Sequence, residues 1–343
     1  MKIALDATYS VGRNLSGVAV YSREVLYGLA KAHPESDFLY CYRPHRFLRS
    51  FREQIAKNAH RRLLIDGLSG SFDLFHGLNQ RIDSSRYKLT VSTFHDLFVL
   101  SGEYSTADFR QRFAQQAREA AERSDRIIAV SSFTAGQVRE LLKFDPSRIR
   151  VVPHGVRRTA RFPDGTRRER MILFVGAIQK RKNVARLVEA FAAAPVGWKL
   201  VLAGSFGYGA QEALDRIEAS PRRADIQVRG YISDAVLEDL YARASVFAFP
   251  SLDEGFGMPV LDAMAQGVPV LTSNASALPE VAGDAALLVD PSDVASIAGG
   301  MRRLTDDEAL RAQLAQAGLK RSEQFSWEKA VKATWSVYRE LLD

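Results

Sequence analysis

Short apolar runs alternate with stretches of helical periodicity along the whole chain. Ile3 to Leu5 is followed by Val18, Tyr21, Val25 and Leu29 at three- and four-residue spacing, and then by the run Phe38 to Tyr42. A short run apolar on both faces reads as a buried parallel strand, and a 3.6-residue stripe as the helix that returns over it, so the pattern predicts βαβ units. Further strands are predicted at Leu89 to Phe94, Arg126 to Val130 and Ile149 to Val152. The pattern then breaks: Pro153 to Arg170 holds two prolines and two glycines, has no period, and reads as a linker. Alternation resumes with strands expected at Met171 to Val175, Lys199 to Ala203, Ile226 to Arg229, Val246 to Phe249 and Val268 to Leu271. The expected fold is α/β, with two Rossmann-like parallel-sheet domains at 1–157 and 171–325 joined by a linker at 158–170. No repeat of 20 to 50 residues is visible, so these are two similar architectures and not a solenoid. Parallel sheets bind ligands beyond the carboxyl ends of their strands, which directs attention to the residues just after each run and to a cleft between two facing sheets.

Composition changes this picture little. A 343-residue chain that is 46% hydrophobic and 25% charged suits two globular domains and excludes a disordered or collagenous protein. The single cysteine, Cys41, sits in an apolar run and reads as a buried strand residue, which fits a reducing compartment. Asp6 interrupts the opening residues where a signal peptide needs its apolar centre, and no run reaches about 18 apolar residues, so a cytoplasmic protein that does not span a membrane is expected. Charge is more informative once divided. Residues 1–160 hold 25 Lys+Arg against 16 Asp+Glu, or +9, and the remaining residues carry −2. A basic half suits nucleic acid, an anionic membrane or a phosphorylated ligand. The segment Arg46 to Arg62 places Phe47, Leu48, Phe51 and Ile55 on one helical face among arginines. It fits either a surface helix packed on its own sheet or one lying on an anionic membrane.

The densest chemistry follows the run Val246 to Phe249. In Glu254-Gly255-Phe256-Gly257-Met258-Pro259, Pro259 suits a first helical turn and Gly267 a helix stop, which predicts a helix from about 259 to 266. Free N–H groups and the helix dipole at its start suit an anion, and the glycines admit a ligand to the backbone. Glu254 and Asp262, the latter expected in the first turn, can accept hydrogen bonds from ligand hydroxyls; alone, Asp262 would equally complement the dipole. Arg181 and Lys182 precede a helix expected from Asn183, where two cations suit a diphosphate. His95 follows the strand Leu89 to Phe94, at the edge where the cleft is expected.

These motifs resemble the nucleotide-sugar site of the retaining GT-B glycosyltransferases of family 4. The resemblance extends through Ser16-Gly17-Val18, Phe94-His95-Asp96-Leu97, Val152-Pro153-His154-Gly155-Val156, Arg181-Lys182-Asn183, Gly230-Tyr231-Ile232-Ser233 and Leu278-Pro279-Glu280. It implies a GT-B fold whose first domain is the acceptor side, with the helix at 326–343 packing back on it. It implies hexose transfer, with mannose the guess by family frequency, from a GDP- or UDP-linked sugar to a glycan or lipid-linked glycan, as in cell-surface polysaccharide synthesis. Its catalytic residues would be His95 and Glu254; its donor-binding residues would be Gly17, Arg181, Lys182, Gly255, Phe256, Gly257, Met258, Pro259 and Asp262. Asp262 departs from the family's usual Glu by one methylene, and Ala177 stands where some members carry an arginine.

With no Asp-x-Asp pair of the sugar-nucleotide type, no metal cofactor is expected, and the cations are expected to neutralise the diphosphate. Contact with the inner membrane face at the basic half remains an expectation. A sugar-nucleotide epimerase or a phosphorylase of the same fold is the alternative enzyme. A nucleic-acid-binding protein is disfavoured by the lack of an aromatic-basic RNA motif, and the GxxGxG at Gly204 to Gly209 lacks dinucleotide spacing.

Overall fold

The structure, a computed structural model, describes residues 1–12, 16–65, 71–83, 85–156 and 168–343. Two compact units are present. The first comprises Met1–Ser101, Ala107–Gly155 and Phe325–Asp343, and the second Gly102–Thr106 and Val156–Gln324.

The first unit holds strands β1 (Lys2–Asp6), β2 (Asp37–Tyr42), β3 (Ala59–Leu63), β4 (Leu74–Gly77), β5 (Thr90–Phe94), β6 (Arg126–Ala129) and β7 (Ile149–Val151). All pair in parallel, in the order β3-β2-β1-β4-β5-β6-β7. The Gly17–Ala32 helix buries Tyr21, Val25 and Leu29 on this sheet, the face that its spacing predicts. The Trp327–Leu342 helix, capped by Ser326, adds Trp327, Val331 and Tyr338 to the same core. Gly155 makes that docking possible: a Cβ there would lie 2.2 Å from the Trp327 backbone nitrogen, so only glycine lets the two main chains pass.

The second unit holds β8 (Glu169–Val175), β9 (Lys199–Ala203), β10 (Ile226–Gly230), β11 (Ala244–Phe249), β12 (Val270–Ser273) and β13 (Ala286–Val289), all parallel, in the order β10-β9-β8-β11-β12-β13. In both sheets the order reverses beside the first strand, between β1 and β4 and between β8 and β11. Ligands of open parallel sheets sit beyond the carboxyl ends at such a switch point.

Several expectations need correction. The segment Arg46 to Arg62 is not one helix. A short helix spans Pro44–Ser50, the chain turns, and β3 follows as a half-polar edge strand. The apolar face therefore splits: Phe47 and Ile55 pack on the core, while Leu48 and Phe51 are 80% and 60% exposed. Strands β3, β4 and β13 were not predicted; each is short, and β3 and β13 pair on one side only, so neither needs a continuous apolar run. The linker expected over 158–170 lies outside the described residues as far as 167, and its last two residues, Glu169 and Arg170, already belong to β8.

Candidate active site

In the second unit the site is built on the two strands that flank the switch point. After β8, the 3-10 turn Lys180–Lys182 leads to Asn183, whose φ of 60° starts the Val184–Phe191 helix one residue later than expected. Asn183 Nδ2 donates to the carbonyls of Pro250 and Pro291, tying the loop after β8 to the segments that follow β11 and β13. Leu252 N and Ser251 Oγ both donate to the Arg181 carbonyl and complete the seam.

Across that seam Glu254, only 6% exposed, accepts from Arg181 Nη1 at 3.0 Å, Lys182 Nζ at 2.5 Å and Ser251 Oγ at 2.6 Å. Burial alone would raise its pKa. The Arg181 charge, the Lys182 charge and the hydrogen bonds from Lys182 and Ser251 outweigh burial and hold the carboxyl at about 2. Lys182 Nζ also lies 4.9 Å from the centre of the Phe249 ring, where the π face attracts a cation. The two cations and the carboxylate expected separately from the sequence thus form one buried cluster.

Gly255, Phe256 and Gly257 follow, all buried, and lead into the Met258–Ala265 helix, which carries Pro259 in its first turn and is stopped by Gly267 at φ 65°. Gly257 has φ 110°, and a Cβ there would meet Leu278 Cδ2 at 2.6 Å, so the loop's course depends on this glycine. Asp262 does not sit in the first turn as expected. With the helix beginning at Met258 it falls in the second, half-buried and close enough to the Tyr241 phenol to help raise its pKa, to which burial contributes most.

The other two expected residues belong to the first unit. Gly17 is the exposed first residue of the Gly17–Ala32 helix. His95 follows β5 and is 7% exposed. Its Nε2 lies 2.9 Å from the Leu78 carbonyl, which can only accept, so this nitrogen carries the proton and Nδ1 faces His154 Nε2 at 3.4 Å. The two imidazoles stack at 5.3 Å, and Tyr21 meets His95 edge-on at 4.7 Å. Burial lowers the His95 pKa to about 4, so the ring is neutral near pH 7. Behind it His76, with its pKa lowered to about 3 by burial, bridges Thr93 and Tyr338.

Sequence reasoning missed Ser251, Asn183 and Tyr21 as parts of these clusters. Ser251 was within reach of the strand-end rule, two places after β11. Tyr21 carried no signal beyond an apolar helix position.

These sheets define the class of protein. Over 99% of both chains the structure resembles sucrose-phosphate synthase from Thermosynechococcus elongatus, with a TM-score of 0.79 at 21% identity, and the fold is GT-B. Residues 15–159 match the family described as Glycosyltransferase Family 4, and residues 156–321 match Glycosyl transferases group 1. Over 282 residues the chain is 31% identical to the O-antigen chain mannosyltransferase B of Escherichia coli, covering 78% of this chain and 74% of that one. It is 29% identical over 301 residues to the MMP alpha-(1->4)-mannosyltransferase of Mycolicibacterium hassiacum, covering 81% and 73%. The chain belongs to this glycosyltransferase family.

Proposed function

We propose that the protein transfers mannose from a nucleotide diphosphate sugar to a glycan or lipid-linked glycan, with retention of anomeric configuration. The observation that carries this reading is the buried Glu254, Arg181 and Lys182 cluster at the carboxyl ends of β8 and β11. The names of the two mannosyltransferase relatives support the sugar.

Arg181 and Lys182 hold the diphosphate and take up the charge it gains as the glycosidic bond breaks. Gly255 to Pro259, Asp262 and Gly17 complete the donor site. Glu254, ionised down to about pH 2, is no proton donor; its Oε1 accepts from Lys182 and Ser251, while its Oε2 accepts one hydrogen bond, from Arg181, among the described residues and keeps a lone pair for a ligand. It accepts donor-sugar hydroxyls and stabilises positive charge developing at the anomeric carbon, while the leaving diphosphate assists deprotonation of the acceptor. His95 acts as a neutral ring beside the sugar. The two cations do the work that a divalent metal does elsewhere, so turnover is expected to survive EDTA; loss on chelation, restored by Mg²⁺ or Mn²⁺, would overturn that part.

Glu254→Gln keeps the shape and removes the charge. Transfer should fall about 100-fold or more, as loss of a transition-state electrostatic contact implies. Calorimetry should find the free nucleoside diphosphate bound as tightly as before or more so, because the cations lose an internal competitor. Retention of more than about a tenth of wild-type kcat would sink the assignment.

A further inference from the structure

We propose that the first unit binds a phosphate-bearing acceptor in an arginine-walled cavity at the carboxyl ends of β1, β2 and β4. The proposal rests on the glycosyltransferase reading only in naming the ligand an acceptor. The cavity encloses about 740 Å³, and Arg43, Arg46, Arg49, Arg52 and Arg81 line it. The first four are spaced by three, from the cap of the Pro44–Ser50 helix through its last turn and into the turn that follows, which brings successive guanidiniums to neighbouring positions. Arg81 arrives from the segment after β4.

Counter-charge is scarce. Glu53, the one carboxylate among the described residues that line the cavity, is paired with Arg23 at 2.9 Å. Arg43 reaches Asp6 at 3.7 Å, whereas Arg46, Arg49, Arg52 and Arg81 have no ion pair among the described residues. Like charges gathered around one cavity repel unless an anion enters. A lone carboxylate would balance one guanidinium. A phosphate monoester or diphosphate carries two or three charges and presents oxygens that match several forks at once.

Position points the same way. β2, β1 and β4 are consecutive in the sheet, and β1 and β4 flank its switch point. Ser16 and Ala19 bring the positive end of the 16-residue Gly17–Ala32 helix to the wall. With Arg181 and Lys182 assigned to the diphosphate of the donor, a second phosphate site in the other unit belongs to the other substrate.

The test is a binding measurement, so it does not depend on knowing the reaction. Inorganic pyrophosphate is titrated by calorimetry at low salt into Lys182→Ala, which weakens the donor site, and into the same protein carrying Arg46→Ser and Arg49→Ser. These arginines hold no ion pair among the described residues, and an unchanged Tm will verify the fold. Binding should persist in the first protein and weaken at least about tenfold in the second, as expected for loss of charge-assisted hydrogen bonds. If Lys182→Ala alone abolishes binding, or the added substitutions leave it unchanged, the proposal is overturned. Two further arms identify the source. Sedimentation with vesicles of equal phosphatidic acid and phosphatidylcholine, lost in the arginine variant, marks a lipid-anchored phosphate. Binding of mannose 6-phosphate without sedimentation marks a soluble one, and failure of both arms overturns the proposal. If transfer chemistry is absent while the arginine-dependent binding stands, the functional reading has failed and the site has not.

Discussion

A carboxylate that stays ionised to about pH 2 while 6% exposed is held by its partners, and the same contacts limit what those partners do. Arg181 and Lys182 are 7% and 9% exposed and both bond to Glu254, so an arriving diphosphate must share them with it. Lys182→Ala should therefore weaken binding of a diphosphate sugar and of the free nucleoside diphosphate roughly tenfold or more and leave the nucleoside almost unaffected, because only the first two present charge to Nζ. Calorimetry with the three ligands decides it; equal weakening across them would mean that the substitution had damaged the fold. His95 makes a complementary point. Its Nε2–H is committed to Leu78, so the neutral ring is fixed in one tautomer before any ligand arrives.

Elements are placed here by contacts far apart in the chain. The expected helix over Arg46 to Arg62 ends early because the chain must return to the sheet, where β3 pairs from Phe38 with Ala59 to Tyr42 with Leu63. Asn58 fixes that return by donating to the carbonyls of Ala30, His33 and Ser36. The Trp327–Leu342 helix is held by a gap that only a missing side chain leaves. Gly155→Ala should cost roughly 2–3 kcal/mol or more, since its Cβ would strike main chain and not a flexible side chain. Gly136→Ala, where a Cβ meets nothing within 4 Å, is the control. Urea melts of the two variants make the comparison, and equal midpoints would show that the crossing relaxes without cost.

For the whole molecule, acid should act on the two units at different pH. His76, His95 and His154 all have pKa values lowered by burial in the first unit. Below the unfolded value of 6.5 the unfolded chain binds protons that the folded unit does not, so stability falls as pH drops from 6.5, each ring contributing up to about 1.4 kcal/mol per pH unit. Asp6, raised mainly by burial, opposes this at lower pH. Glu254 in the second unit is lowered, so its stabilisation, on the order of 3 kcal/mol, is intact above 4.5 and is lost as pH falls towards 2. The first unit should loosen first. Trp327 and Trp335 report on it and Trp198 on the second unit, so acid titration of a Trp198→Phe variant should show a fluorescence transition at higher pH than a Trp327→Phe/Trp335→Phe variant. The reverse order would contradict the burial assigned to the three histidines.

The amino-acid sequence by itself determined the alternation of strands and helices, because strands buried on both faces must be apolar and helices over them must carry a stripe. It also determined the helix after Gly257 and its stop at Gly267, since proline and glycine act through local backbone geometry. The motif around Glu254 and the paired cations at Arg181 and Lys182 were legible as candidate chemistry. Only the tertiary structure decided that these three residues form one ion-paired cluster, because their pairing joins loops more than 70 residues apart. It alone decided the edge strands, whose half-polar sequences take their conformation from the neighbour they pair with. It also decided which arginines of the basic first half converge. Their spacing was open to inspection, but the turn that ends the Pro44–Ser50 helix and the arrival of Arg81 from beyond β4 are long-range consequences of the sheet order.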